Sequence, residues 1–112
     1  MLMEGIGIDV AEIGRFRSLI KQKKQHLLDK MFSNIEREYC FSFKDAAPHL
    51  AGTFAAKEAV IKAGGSPSLT AVEIRRGKDG RPEVWCGGRK SKSLIISISH
   101  SSEIACAIAL QK

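Results

Sequence analysis

A chain of 112 residues with a formal net charge of +6 has the length of one domain, 1–112, and is short of the size at which cores usually divide. Its 44% hydrophobic and 27% charged residues are ordinary for a globular fold, and no apolar run approaches the roughly 20 residues that cross a bilayer. Cys40, Cys86 and Cys106 are odd in number and lack the close pairs of a zinc ribbon, so they read as buried thiols of a reducing, cytoplasmic protein.

The excess of positive charge implies an acidic partner or ligand: nucleic acid, phosphate esters, a membrane or an acidic protein. It concentrates in residues 15–30, with Arg15, Arg17, Lys21, Lys23, Lys24 and Lys30, and in residues 75–92, with Arg75, Arg76, Lys78, Arg81, Arg89, Lys90 and Lys92.

Gly5-Ile-Gly-Ile-Asp9 reads as an apolar strand ending on a carboxylate, with glycines that admit a close neighbour. Asp9-Val-Ala-Glu12 also has capping-box spacing, so Asp9 is open to two readings: a helix cap contributing about 0.5–2 kcal/mol, or a strand-end acid placed to hold a metal. Ile13, Phe16 and Ile20 form one face of a short helix that leaves Arg15 and Arg17 outside. Residues 21–26 read as a mobile loop before a helical turn with Leu27, Leu28 and Met31. Ser33-Asn-Ile-Glu36 is a second capping box, opening a brief helix through Tyr39, and Phe41 and Phe43 are core or interface residues.

The main helix is predicted from about 46–48, where Pro48 fits a first turn, to Gly64-Gly65. At about 100° per residue, Ala47, Leu50, Phe54 and Ile61 form an apolar stripe, with Glu58 at its edge and Lys62 one turn on. An intrahelical Glu58–Lys62 pair would contribute only about 0.2–0.5 kcal/mol. The other reading is a site, because a carboxylate near a core needs a cation, a metal or donors to compensate it.

The second half changes period. Val72 and Ile74 mark the inward side of a strand, Asp79-Gly80 suits a hairpin turn, and Pro82 begins a partner strand that Gly87-Gly88 ends. Leu94–Ser99 and Ile104–Leu110 are the next strand pair, joined by a polar turn from Ser99 to Glu103. The fold class is α+β, a long helix packed on a mainly antiparallel sheet.

Asp9, the Glu58/Lys62 face and His100 are polar groups at the boundary of apolar structure, and they are expected to converge at one end of the sheet. Two carboxylates with open positions suit Mg²⁺, which keeps waters and binds substrate phosphate, and Lys62 can neutralise the same phosphate. His100 is open to three roles: turn residue, phosphate ligand or proton carrier. His26 reads as exposed, and His49 as a helix-surface or interface residue. A Ser99-His100-Asp9 triad is disfavoured by the adjacency of Ser and His and the absence of a Gly-x-Ser-x-Gly elbow, and Gly5-x-Gly7 alone is no dinucleotide fingerprint.

Three blocks at these separations resemble the holo-acyl-carrier-protein synthase family of phosphopantetheinyl transferases: Gly5-Ile-Gly-Ile-Asp-Val-Ala-Glu-Ile-Gly-Arg15, Leu50-Ala-Gly-Thr-Phe-Ala-Ala-Lys-Glu-Ala-Val-Ile-Lys62, and Ser97-Ile-Ser-His100 with Ala105-Cys-Ala-Ile-Ala109. The resemblance implies magnesium-dependent transfer of 4'-phosphopantetheine from coenzyme A to a serine of apo acyl carrier protein, with adenosine 3',5'-bisphosphate released. It implies that Asp9 and Glu58 hold the metal, that Lys62 and His100 contact the phosphate-bearing part of coenzyme A, and that Arg15, with Arg17 and Lys21, meets the acidic carrier. It further implies a homotrimer with sites at subunit boundaries, for which Phe41, Phe43 and Trp85 are candidate contacts.

Thr53 departs from the pattern, since the family often carries Arg before the helix aromatic. Ile104 stands where an aromatic is common, and the connection from Gly87 to Leu94 is short. The competing readings are a small basic nucleic-acid-binding protein, which lacks aromatics interleaved with a basic sheet, and an inactive carrier-protein-binding module, which would not need both acids.

Overall fold

Residues 4–112 are described by a computed structural model. In chain order the elements are β1 (Gly5–Glu12), α1 (Ile13–Lys21), α2 (Gln25–Met31), α3 (Asn34–Phe41), α4 (Ala47–Lys62), a short 3-10 turn (Leu69–Ala71), β2 (Val72–Arg76), β3 (Pro82–Cys86), β4 (Arg89–Lys90), β5 (Leu94–His100) and β6 (Ile104–Gln111). The expected α+β architecture is present, divided between two antiparallel sheets ordered β1-β6-β5 and β2-β3-β4. β4 was not foreseen: Gly87 and Gly88 take φ of 59° and 80°, so the chain turns back there instead of leaving the sheet.

The first sheet owes its contact with α4 to small residues. Gly7, Ala11, Ala105, Ala107 and Ala109 are buried on its inner face, and alternation turns Ile6, Ile8, Val10, Ile95, Ile104 and Ile108 outward, where they are exposed. A Cβ on Gly5 would stand 2.0 Å from the Ala63 carbonyl oxygen, and one on Gly7 would stand 2.0 Å from that of Ala59. Only glycine lets β1 lie this close to the helix.

α4 is buried more widely than a single stripe. Leu50, Ala51, Ala55, Ala56, Ala59 and Val60 have no exposed surface, whereas Phe54 and Ile61, expected in the apolar stripe, are half-buried with Glu58. The sheet covers one side of the helix and α1, α3 and β2 cover others, so alanines rather than large side chains mark its hidden surface.

Lys57 is a further surprise. It is only 2% exposed, and its Nζ donates to Glu36 Oε1 at 2.8 Å and to the Met31 carbonyl at 2.9 Å. Glu36 also accepts from the backbone N–H of Ser33 at 2.8 Å, completing the predicted capping box, and from that of Ile74 at 2.8 Å. One buried carboxylate therefore ties α3, α4 and β2 together.

Two readings of the first half need correction. β1 continues to Glu12, which precedes α1 without a side-chain cap bond, so Asp9 lies within the strand opposite Ala107 and caps nothing. Phe41 and Phe43 are 45% and 39% exposed, so of the core and interface readings only the core one is excluded. The helix expected near Leu27 begins at Gln25.

Candidate active site

On β1, Gly5, Gly7, Asp9 and Ala11 share the face toward α4. The strand advances about 6.7 Å every two residues and the helix about 6 Å every four. Gly5 beside Ala63 and Gly7 beside Ala59 therefore bring Asp9 level with the turn that carries Glu58. Lys62 does not pair with Glu58. Its Nζ donates to Asp9 Oδ1 at 3.0 Å and to the Ile8 carbonyl at 3.0 Å. The Asp9 side chain is 16% exposed and that of Lys62 is 53% exposed, so the acid is lodged between strand and helix while the ammonium faces solvent. Glu58 is half-buried and forms no ion pair among the described residues.

Among the described residues no three His, Cys, Asp or Glu side chains gather as a metal cage. Two carboxylates on facing elements, one without an ion-pair partner, nevertheless offer hard oxygen donors that would leave positions for water and phosphate oxygens. That set fits Mg²⁺ better than a metal requiring a full protein cage.

His100 does not join this group within one chain. It ends β5, paired with Ala105, instead of lying in the polar turn. β5 runs along α4 so that Ile98 meets Gly52 and His100 meets His49, with ring centroids 6.1 Å apart. The expected convergence is corrected by the sheet register: Asp9 lies opposite Ala107 and so level with Ile98, while His100 lies opposite Ala105 and so level with Ala11, which leaves Asp9 two strands from His100 and one residue pair short of it.

The surroundings of His100 hold groups that sequence reasoning passed over. His49 stacks on Phe43 with centroids 3.6 Å apart and meets Tyr39 edge-on, and the Arg76 guanidinium lies 4.7 Å from the Tyr39 ring centroid. Burial pushes the His49 pKa below its usual value, and the positive charges of His100 and Arg76 push it further the same way. Period-two alternation could have flagged Arg76, which follows Val72 and Ile74 on the inward side of β2, but nothing local signalled that an α3 aromatic would meet it.

Arg15, on the exposed side of α1, packs its guanidinium 5.4 Å from the Phe16 centroid and 5.1 Å from that of Phe54. With Val10, Ala11, Glu12 and Phe54 it lines an open cleft of about 310 Å³. Arg17 is engaged by both carboxylate oxygens of Asp45 at 2.9 Å, and Lys21 borders a neighbouring cleft with Arg17 and Lys44.

The two sheets around a buried helix, with an acid-and-lysine pole at the β1–α4 contact, define an α+β fold with a candidate site at that contact. Residues 5–109 match the 4'-phosphopantetheinyl transferase superfamily, and the chain belongs to that family. It is 38% identical over 112 residues to the holo-[acyl-carrier-protein] synthase of Thermodesulfovibrio yellowstonii, covering 97% of this chain and 98% of the relative. It is 42% identical over 115 residues to that of Chlamydia caviae, covering 94% and 93%. Among solved structures it resembles the Bacillus anthracis holo-(acyl-carrier-protein) synthase in complex with CoA (3',5'-ADP), with TM-score 0.81, 28% identity, and 99% and 97% of the two chains covered. The Helicobacter pylori enzyme in complex with coenzyme A gives TM-score 0.77, 29% identity, and coverage of 96% and 99%.

Proposed function

We propose that this protein transfers 4'-phosphopantetheine from coenzyme A to a serine hydroxyl of an apo acyl carrier protein, with Mg²⁺, and releases adenosine 3',5'-bisphosphate. The observation that carries the proposal is the pole in which Asp9 of β1 and Glu58 of α4 stand beside Lys62, in a chain of this family. Asp9 and Glu58 would hold the metal, which when bound supplies positive charge to phosphoryl oxygens and to the leaving diphosphate. Lys62 presents an exposed ammonium with three donors, two of them directed at Asp9 and Ile8, and adds a point charge for substrate phosphate. His100, exposed and with Nδ1 3.2 Å from the Ser101 carbonyl oxygen, presents its other ring nitrogen to the phosphate-bearing part of the coenzyme. The reaction breaks the bond between the β-phosphorus and the bridging oxygen and forms one to the carrier serine oxygen; the serine proton is lost to a base.

A homotrimer with sites at subunit boundaries fits two features. The outer face of the first sheet exposes Ile6, Ile8, Val10 and Ile95 at 65%, 61%, 58% and 50%, more contiguous apolar surface than a lone domain commonly leaves in water. A symmetric neighbour is also the simplest source of a His100 for an acid pole that lacks one in its own chain. Arg15 leads the carrier-docking surface, with Arg17 and Lys21 beside it, and attracts an acidic helix. Among the described residues no helix is long and apolar enough to cross a membrane. A reducing cytoplasm suits the three free cysteines.

The test incubates the protein with apo acyl carrier protein, coenzyme A and Mg²⁺ and follows the intact mass of the carrier together with the nucleotide product. Modified carrier and adenosine 3',5'-bisphosphate in equal amounts are expected; an unmodified carrier across several carriers and metal concentrations rejects the reading.

A further inference from the structure

α4 is gripped from two sides. On one, Gly5 and Gly7 of β1 rest against the carbonyls of Ala63 and Ala59. Lys57 comes two residues before Ala59, which at 3.6 residues per turn places it roughly 160° around the helix from that contact. There its Nζ donates to Glu36 Oε1 at 2.8 Å and to the Met31 carbonyl at 2.9 Å. Glu58 falls between the two grips, roughly 100° from each, and is the acid of the open pole that forms no ion pair among the described residues.

The second grip is stiffer than ordinary packing. Glu36 is 1% exposed and both of its oxygens are engaged, Oε1 by Lys57 and the Ser33 N–H and Oε2 by the Ile74 N–H. Hydrogen bonds are directional, whereas apolar burial is not. Much of the remaining buried surface of α4 is Ala51, Ala55, Ala56 and Ala59, whose single methyl groups offer little resistance to a turn about the helix axis. Such a turn matters at Glu58. With side-chain ends roughly 6 Å from the axis, about 10° of rotation carries a carboxylate about 1 Å. Asp9 would not follow, because it belongs to β1. Mg²⁺ demands oxygens at about 2.0–2.1 Å in a near-ideal octahedron, so a displacement of that size separates a ligand from an idle neighbour.

We propose that the buried Lys57–Glu36 pair is a positioning device for the metal site. It sets the rotation of α4, and with it the place of the Glu58 carboxylate, without touching substrate or metal. The assignment deepens the transferase reading and rests on it for Asp9 and Glu58 as the metal's ligands.

Titration of the full chain with Mn²⁺, followed by electron paramagnetic resonance in the presence of adenosine 3',5'-bisphosphate, reads metal affinity without carrier or turnover. The wild type is expected to bind Mn²⁺ in a manner that Glu58→Ala abolishes. Lys57→Met with Glu36→Met removes both polar tips together; it should still unfold cooperatively, yet bind Mn²⁺ about tenfold or more weakly, as expected when a reacting group is misplaced by a fraction of an ångström. Its affinity for the bisphosphate without metal should stay within twofold, which a general loosening of the fold would not permit. In turnover the same variant should raise KM for Mg²⁺ and lower kcat, with KM for the carrier within twofold. Should the double variant not fold, Glu36→Asp decides the matter, since it keeps the charge but draws the tip back by one carbon and should weaken Mn²⁺ in the same selective way. Wild-type metal affinity in a folded variant, equal weakening of nucleotide and metal, or Mn²⁺ binding that is indifferent to Glu58 overturns the assignment. A wild type whose Mn²⁺ binding depends on both Glu58 and Lys57 but which modifies no carrier would instead reject the transferase reading and leave the positioning role in place.

Discussion

Lys57 and Lys62 sit on the same helix, yet their surroundings are opposite. Lys57 is sealed in, with Glu36 and the Met31 carbonyl as its partners, while Lys62 reaches through open space to Asp9. The first belongs to the packing that fixes α4 against α3 and β2, and the second to a pole open to ligand. The difference teaches that charge near a core is no guide to chemistry until its exposure is known. A closed ion pair has nothing left to offer a substrate, and an open one exchanges partners readily.

The sharpest way to break this contrast is to delete each lysine. Lys57→Ala should cost about 3–5 kcal/mol of stability by leaving Glu36 buried without its cation, measured by denaturant unfolding. Lys57→Met with Glu36→Met should recover much of that loss, since a buried pair replaced as a unit is often close to neutral. Lys62→Ala should change stability by no more than about 1 kcal/mol and act on turnover instead.

Asp9→Ala and Glu58→Ala come next. Each is expected to lower carrier modification about 10²–10³-fold with the fold retained by circular dichroism, a loss of the size seen when charge stabilisation of a transition state is removed. Wild-type rates in both would break the proposed role of the open pole. At His49 the expected effect is smaller and depends on pH. The folded-state pKa of His49 lies below its ordinary 6.5, so the unfolded chain binds the proton more readily. The stability this contributes is present above pH 6.5 and is lost as pH falls through the folded value. His49→Gln should flatten that part of a pH–melting profile.

Smallest in energy is the change at the carrier surface. Arg15→Glu should mainly raise KM for an acidic carrier, with an effect that shrinks as salt is added, because exposed charges are screened. A KM that does not respond to salt would remove Arg15 from the docking surface.

Much of this arrangement was legible in sequence. The period of the second half announced β2, β3, β5 and β6, and the capping box from Ser33 to Glu36 formed as written. The Phe54–Lys62 segment marked the central helix. What local pattern lacked was the partner of each charge. Lys57, flanked by alanines and followed by Glu58, reads like any helix-surface lysine, because Glu36 reaches it only after α3 folds over. Asp9 has capping-box spacing, but the pairing of β1 with β6 carries the strand to Glu12 and overrides that local signal. His100, like the acids, lies at an apolar boundary, but its place two strands away from Asp9 is set by the β1–β6–β5 pairing, which no local pattern announces.

The glycines of β1 carry one more consequence. At Gly5 and Gly7 the strand rests on carbonyl oxygens of α4 with no room for a methyl group, so the spacing between β1, which carries Asp9, and α4, which carries Glu58, is gauged by main chain against main chain. Variation among the surrounding alanines and leucines can then soften or stiffen the interior without detuning the two acids. Adding a single carbon at Gly7 should shift their alignment more than many larger changes elsewhere.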